Sequence, residues 1–187
     1  MVITIQPTAV QQRQPATPPT ELYVCPFTVA VDTREQAPWG FQGVATGGKL
    51  WLVKRQAMTL QTGDYSIVGH ESRVVIERKS AEDLLGSITS GNARFCREHE
   101  RMQAIVKAGG FAAVIVEGCM AAICDELDSP NSERRMTSET IIGIVASWPR
   151  RYGVHWMFAG DRRRAELLAF RVLWKWWQEH GEQKETP

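Results

Sequence analysis

Asp64, in Gly63-Asp64-Tyr65, and Glu77, in Ile76-Glu77-Arg78-Lys79, stand thirteen positions apart. Between them, Tyr65–Val68 and Arg73–Ile76 alternate in polarity around Gly69-His70-Glu71-Ser72, the pattern of a β-hairpin. With His70 and Glu71 as the loop, paired residues sum to 141, which sets Asp64 opposite Glu77. Cross-strand partners share a face with Cβ atoms about 4.5–5.5 Å apart, and Lys79, two residues on, projects from that face too. Two carboxylates about 4 Å apart repel by roughly 4 kcal/mol at an effective dielectric of about 20. Such a pair persists if one acid is protonated, if cations neutralise it, or if a divalent metal sits between. Oxygen donors favour a hard cation, Mg²⁺ or Mn²⁺, over zinc. A cation held there acidifies water and polarises a phosphoryl oxygen. Lys79 is placed to orient a nucleophile or to offset charge building on a phosphate. The plainer reading is an exposed hairpin end carrying a Glu77–Lys79 ion pair.

The order Asp-x(n)-Glu-x-Lys is the skeleton of the PD-(D/E)xK nucleases. Around it stand Val31-Asp32-Thr33-Arg34-Glu35, Asp83-Leu84 after Lys79, then Arg94, Gln103 and Val114–Glu117. Over about residues 27–160 the chain resembles the nuclease domain of the XPF family of structure-specific endonucleases, whose signature is Gly-Asp-x(n)-Glu-Arg-Lys-x-x-x-Asp. The resemblance implies a restriction-endonuclease-like α/β fold, a mixed β-sheet flanked by helices in a single domain. It also implies a Mg²⁺- or Mn²⁺-dependent endonuclease acting on DNA, with branched, flap or fork substrates. Position by position it carries catalysis onto Asp32, Asp64, Glu77, Arg78, Lys79 and Asp83, with Asp32, Asp64 and Glu77 as metal ligands. Two alternatives stand beside it: a non-catalytic DNA-binding or scaffolding partner, and a junction-resolvase or restriction-like nuclease of the same fold. Larger members add a tandem helix–hairpin–helix module. No paired Gly-containing hairpin follows residue 160 and no Walker A sequence occurs, so a stand-alone nuclease domain is expected.

Several of these residues carry a second reading. Asp32 at a strand end is also a turn residue before Thr33-Arg34-Glu35. Ser80-x-x-Asp83 is also a capping box that fixes the helix after Lys79. Arg78 alternates away from Glu77 and Lys79, so a pairing with Glu35 or another acid competes with a phosphate contact. Arg34, Arg94 and Arg101 are candidates for the DNA backbone, Arg34 also for an internal pair. Tyr65 alternates away from Asp64, toward the core. Glu117 ends an apolar strand, near the metal site or as a cap.

With 187 residues the chain suits one domain with a real core. A net charge of +1 gives no general nucleic-acid signature. Basic residues cluster at Arg134-Arg135, Arg150-Arg151 and Arg162–Arg164, as a DNA-facing surface or as solvated helix ends. Cys25, Cys96, Cys119 and Cys124 have neither zinc nor disulfide spacing; Cys96-x-x-His99 lacks a second half. Reduced thiols fit a cytoplasmic protein, nucleoid-associated if bacterial. No apolar run reaches transmembrane length and residues 1–20 lack a signal-peptide core.

Residues 1–22, rich in Gln, Pro and Thr, read as a disordered tail before a domain at 23–180, with a short tail at 181–187. Strands are expected at 28–31, 50–53, 65–68, 73–79, 111–116 and 154–158. Helices are expected from Ser80, over 93–108, from Thr137 or Ser138 to Trp148 where Pro149 breaks it, and from an Asp161 cap to His180. Residues 118–136 read as a mobile loop or disordered insertion. The last helix carries apolar residues over too broad a face for solvent. Domain core or a homodimer contact is the favoured cover for its tryptophans, over base stacking.

Overall fold

A computed structural model describes residues 21–89, 91–132 and 135–181 of the chain. The expected tails lie outside these residues, apart from Glu21, Leu22 and Gly181. Seven strands form one mixed sheet: β1 (Leu22–Asp32), β2 (Val44–Thr46), β3 (Lys49–Met58), β4 (Tyr65–Ile67), β5 (Val74–Ser80), β6 (Phe111–Glu117) and β7 (His155–Phe158). Their spatial order is β2-β3-β1-β4-β5-β6-β7. The pairs β1–β3, β5–β6 and β6–β7 are parallel; β1–β4, β2–β3 and β4–β5 are antiparallel.

Helices cover both faces. On one lie α1 (Ala81–Ile88), α2 (Asn92–Lys107), α3 (Met120–Leu127) and α4 (Ser138–Tyr152), and on the other α5 (Arg162–His180). The alternation of β5 decides the rest. Val74 and Ile76 join the core beneath α5, whereas Val75 joins the core beneath α1 and α2. Strand period two then sends Glu77 and Lys79 to the α2 side and Arg78 to the α5 side. β6 repeats the pattern, with Val114 and Val116 beneath α2 and Ile115 beneath α5.

The hairpin register is the one the alternation demands, with Tyr65 paired to Ile76. Its loop is longer than His70-Glu71, because successive turns donate His70 N–H to Ile67 O and Arg73 N–H to His70 O. β1 starts at Leu22, earlier than the composition suggested. Pro26 has no N–H to give a ladder, and the β1–β3 register shifts between Val24 and Thr28 around it.

Residues 118–136 are corrected in part. α3 forms there because Ile123 and Leu127, one helical turn apart, are both buried. Pro149 does not end α4, which continues to Tyr152 and stops at left-handed Gly153. Trp148 and Tyr152, buried on either side of the proline, hold that last turn down.

The apolar breadth of α5 is taken up within the domain. Phe170, Leu173 and Trp176 are buried, and Trp174 and Trp177 pack on Phe27. No helix among the described residues is long and apolar enough to cross a membrane.

Candidate active site

The ends of β1, β4 and β5 meet on the α2 side. Asp32 N–H donates to Asp64 O at 2.8 Å, and Asp64 N–H to Ile76 O at 2.8 Å, which fixes Asp64 between the two strands. Gly63 makes this turn possible. Its φ is +74°, and a Cβ there would stand 3.1 Å from Ile76 O and 3.2 Å from the Val75 Cβ. The Arg78 backbone N–H donates to Asp64 Oδ2 at 2.7 Å, and Lys79 Nζ to Glu77 Oε1 at 2.5 Å. Lys79 also lies 5.3 Å from the centre of the Phe95 ring, on α2.

These groups open into a cleft of about 830 Å³ that Asp32, Asp64, Glu77 and Lys79 share with Arg34, Arg94 and Arg101. α2 supplies its far wall. Arg94, Glu98 and Arg101 follow helical spacing along the cleft, and Phe95, His99 and Met102 are the buried stripe beside them.

The acids are under strong electrostatic load. Burial pushes the Asp64 carboxyl up to about 7, against the Arg78 N–H that favours its ionised form, with Glu35 adding repulsion. Burial, then the Asp64 charge, raises Glu77 well above the usual carboxylate range. Lys79 opposes this, and its own ammonium is held protonated by Glu77 in spite of burial. Upward is the direction that prevails for Glu77, because burial and the Asp64 charge together outweigh the Lys79 ammonium. Glu98, which sequence patterning did not single out, lines the same cleft, and its charge adds to the upward push on Glu77. Its only sequence signal was helical spacing from Arg94.

Asp32 lines the same cleft, and here its carboxylate is engaged by Arg34 and Leu60. Oδ1 accepts from the Arg34 N–H and Nε, and Oδ2 from Arg34 Nη2 and the Leu60 N–H, at 2.7–2.9 Å. Four donors use the acceptor capacity of a carboxylate. Burial opposes its ionisation, and Arg34 with these N–H groups overcomes that, so the carboxyl sits below its usual range. Asp32 therefore anchors Arg34 and the segment entering the Asp64 turn. Arg34 keeps 66% of its side chain exposed at the cleft wall.

Arg78 faces the α5 side. Its Nε and Nη2 grip Glu117 at 2.8 and 2.9 Å, and Nη1 reaches Glu35 at 3.2 Å. Glu117 is thus an ion-pair partner and neither a cap nor a group drawn to the carboxylates. Asp83 is exposed at the cleft rim and closes the capping box: Ser80 Oγ accepts its N–H at 3.0 Å and donates to its Oδ2 at 2.7 Å. Tyr65 is fully buried, stacked on Trp39, and accepts the Trp39 N–H. His99 is a core residue. Its Nε2 accepts from Trp156 and its Nδ1 faces Phe95 O, while burial lowers it to about 4.

The donors fit a hard cation in one way. Among the described residues no three His, Cys, Asp or Glu side chains gather into a cage. Mg²⁺ needs no such cage, since it takes one or two carboxylates and completes its shell with water and substrate phosphate. Asp64 and Glu77 could supply such a pair, and their raised affinity for protons marks a place where positive charge is favoured. Thr62 Oγ1, buried in the same cleft wall, has no hydrogen-bond partner among the described residues.

Solved structures of XPF from Aeropyrum pernix share this fold. One matches at 20% identity with a TM-score of 0.57, over 86% of this chain and 65% of that chain. Another, in complex with DNA, matches at 20% identity with a TM-score of 0.54, over 82% of this chain and 66% of that one. The chain thus spans just under two thirds of their length. The chain belongs to the ERCC4 domain family, whose model matches residues 31–169. Comparison with curated proteins finds no match.

Proposed function

We propose that this domain is a divalent-metal-dependent DNA endonuclease that hydrolyses phosphodiester bonds in branched DNA such as flaps and forks. The observation that carries the reading is the convergence of Asp64, Glu77 and Lys79 on one cleft in an ERCC4 domain. Asp64 and Glu77 would hold Mg²⁺ or Mn²⁺. The cation supplies Lewis-acid polarisation of the phosphoryl oxygen and acidifies the attacking water. Lys79 lies beside Glu77, where its ammonium offsets charge on the phosphate in flight. Arg94 and Arg101 on one wall and Arg34 on another give the flanking phosphates cationic partners. The A. pernix structure with DNA supports DNA as the substrate class.

The test is cleavage of labelled flap, fork, junction and linear duplex DNA by purified protein with Mg²⁺ or Mn²⁺, beside Asp64→Ala and Lys79→Ala. Cleavage that requires the cation and disappears in both variants is expected. Cleavage indifferent to both substitutions would overturn the site, and DNA binding without cleavage under every metal condition would establish the scaffolding alternative.

A further inference from the structure

Glu117 ends β6 on the α5 side of the sheet, away from the cleft face. One carboxylate there accepts from Arg78 Nε and Nη2, from Trp39 Nε1 at 2.6 Å and from Arg162 Nη1 at 3.1 Å. Its side chain is only 9% exposed. These donors come from β5, from the segment after Arg34, and from the first turn of α5. Arg162 continues onto Ala37 O and Pro38 O, which ties that segment to the helix.

We infer, on the metal-nuclease reading above, that Glu117 is a positioning residue. Through the Arg78 side chain it fixes the backbone N–H that holds the Asp64 carboxylate for the cation. Arg78 links the two sides of the sheet. Its side chain is clamped behind, by a bidentate pair whose planar fork admits one orientation. Its N–H is spent in front, on Asp64 Oδ2 at 2.7 Å. Side chain and N–H meet at the same Cα, so a guanidinium held in one geometry limits rotation of the peptide that grips Asp64. The flanking residues Glu77 and Lys79 inherit the same fixed strand. Without Glu117, Arg78 retains Glu35 at 3.2 Å and is otherwise released. The guanidinium thus serves orientation, and its charge is already neutralised before any phosphate arrives.

Loss of the group that orients a ligand typically weakens metal affinity or activity by about 10–100-fold. Glu117→Gln, close in shape, is therefore expected to weaken Mn²⁺ binding to the DNA-free protein by about 10-fold. It should lower kcat by about 10–100-fold and leave KM for DNA within about twofold. Glu117→Asp, which keeps the charge and not the reach, should recover part of the loss, and it serves if the Gln variant does not fold. Hydrogen exchange of the Arg78 amide, read without metal or DNA, should accelerate in Glu117→Gln while amides of β6 keep their protection.

Unchanged Mn²⁺ affinity and kcat would overturn the inference. So would a fall in KM, because an Arg78 freed to bind phosphate is the opposite role. Wild-type protein that neither binds Mn²⁺ nor cleaves DNA would sink the nuclease reading instead; Arg78 amide exchange then decides the positioning claim alone, and no change in it refutes that claim.

Discussion

Glu77 and Arg78 are neighbours on one strand, and the two sides of the sheet treat their charges in opposite ways. Behind the sheet, Glu117 meets Arg78 and Arg162, with Glu35 reaching Arg78 from the cleft edge, and Glu117 is held ionised although burial opposes it. In the cleft, Asp64 and Glu77 stand beside the Lys79 ammonium, and burial with repulsion from neighbouring acids draws protons onto both. One network is closed and the other is short of positive charge. A fold that can neutralise buried acids so thoroughly on one face shows that the deficit on the other is a property of the site. A divalent cation and the polyanion it brings would resolve it.

Breaking the open side should have the largest effect. On the proposed metal-nuclease reading, Asp64→Asn or Glu77→Gln should cut single-turnover cleavage by about 10³-fold or more, since each removes one of the two carboxylates that would hold the cation. The same substitutions should stabilise the metal-free protein near pH 8. The Asp64 shift from 3.8 to about 7 represents a destabilisation near pH 8 on the order of 2 kcal/mol once shared with its coupled partner. Lower activity with a higher melting temperature separates a strained functional acid from a structural one. Lys79→Met should lower kcat by about 10²–10³-fold, with the Mn²⁺ affinity of the free protein changed less than about threefold.

The pH dependence sharpens the contrast. Asp64 and Glu77 bind protons in the folded state at a pH where the unfolded chain has released them. Metal-free stability should therefore fall as pH rises from about 4 to about 7. Asp32 and Glu117, with lowered values, work the other way: their contribution is present above about 4 and is lost as pH falls through their folded values. Thermal melts across pH should thus show a maximum on the acid side of neutrality. Mg²⁺ or Asp64→Asn should flatten the decline above it.

Smaller effects are expected at the rim. Arg94→Ala and Arg101→Ala should each reduce the salt slope of DNA binding by about 1, with kcat nearly unchanged. Asp83→Ala should cost about 1 kcal/mol of stability through the weakened α1 cap and less than about tenfold in kcat. A loss of 10³-fold there would give Asp83 the catalytic part that the family resemblance implies, beyond its cap.

What the sequence disclosed and what it hid differ by range. The Tyr65–Ile76 pairing, the Ser80 and Asp161 caps and the β5 alternation are local, and alternation or capping chemistry writes them into short stretches. The facing of Arg78 followed from the same period, although its principal partner Glu117 lies 39 residues away. Glu98 joins the site only because α2, packed on β6 and α1, borders the cleft, and no spacing rule carries that contact. The saturation of Asp32 depends on Leu60, brought alongside by the β1–β3 pairing. The strand expected at 50–53 is the first part of β3, whose second half, with exposed Lys54, Arg55 and Gln56, lacks apolar alternation, as does short β2. α3 was obscured by its acidic end and the Ser129-Pro130 that follows it.

Calorimetric titration of Mn²⁺ into the DNA-free protein at pH 8, wild type beside Asp64→Asn and Glu77→Gln, bears most directly on the cleft. A saturable site in wild type, weakened at least about 100-fold by either substitution, is the result the account predicts. Equal binding in all three proteins, or none in wild type, would contradict it.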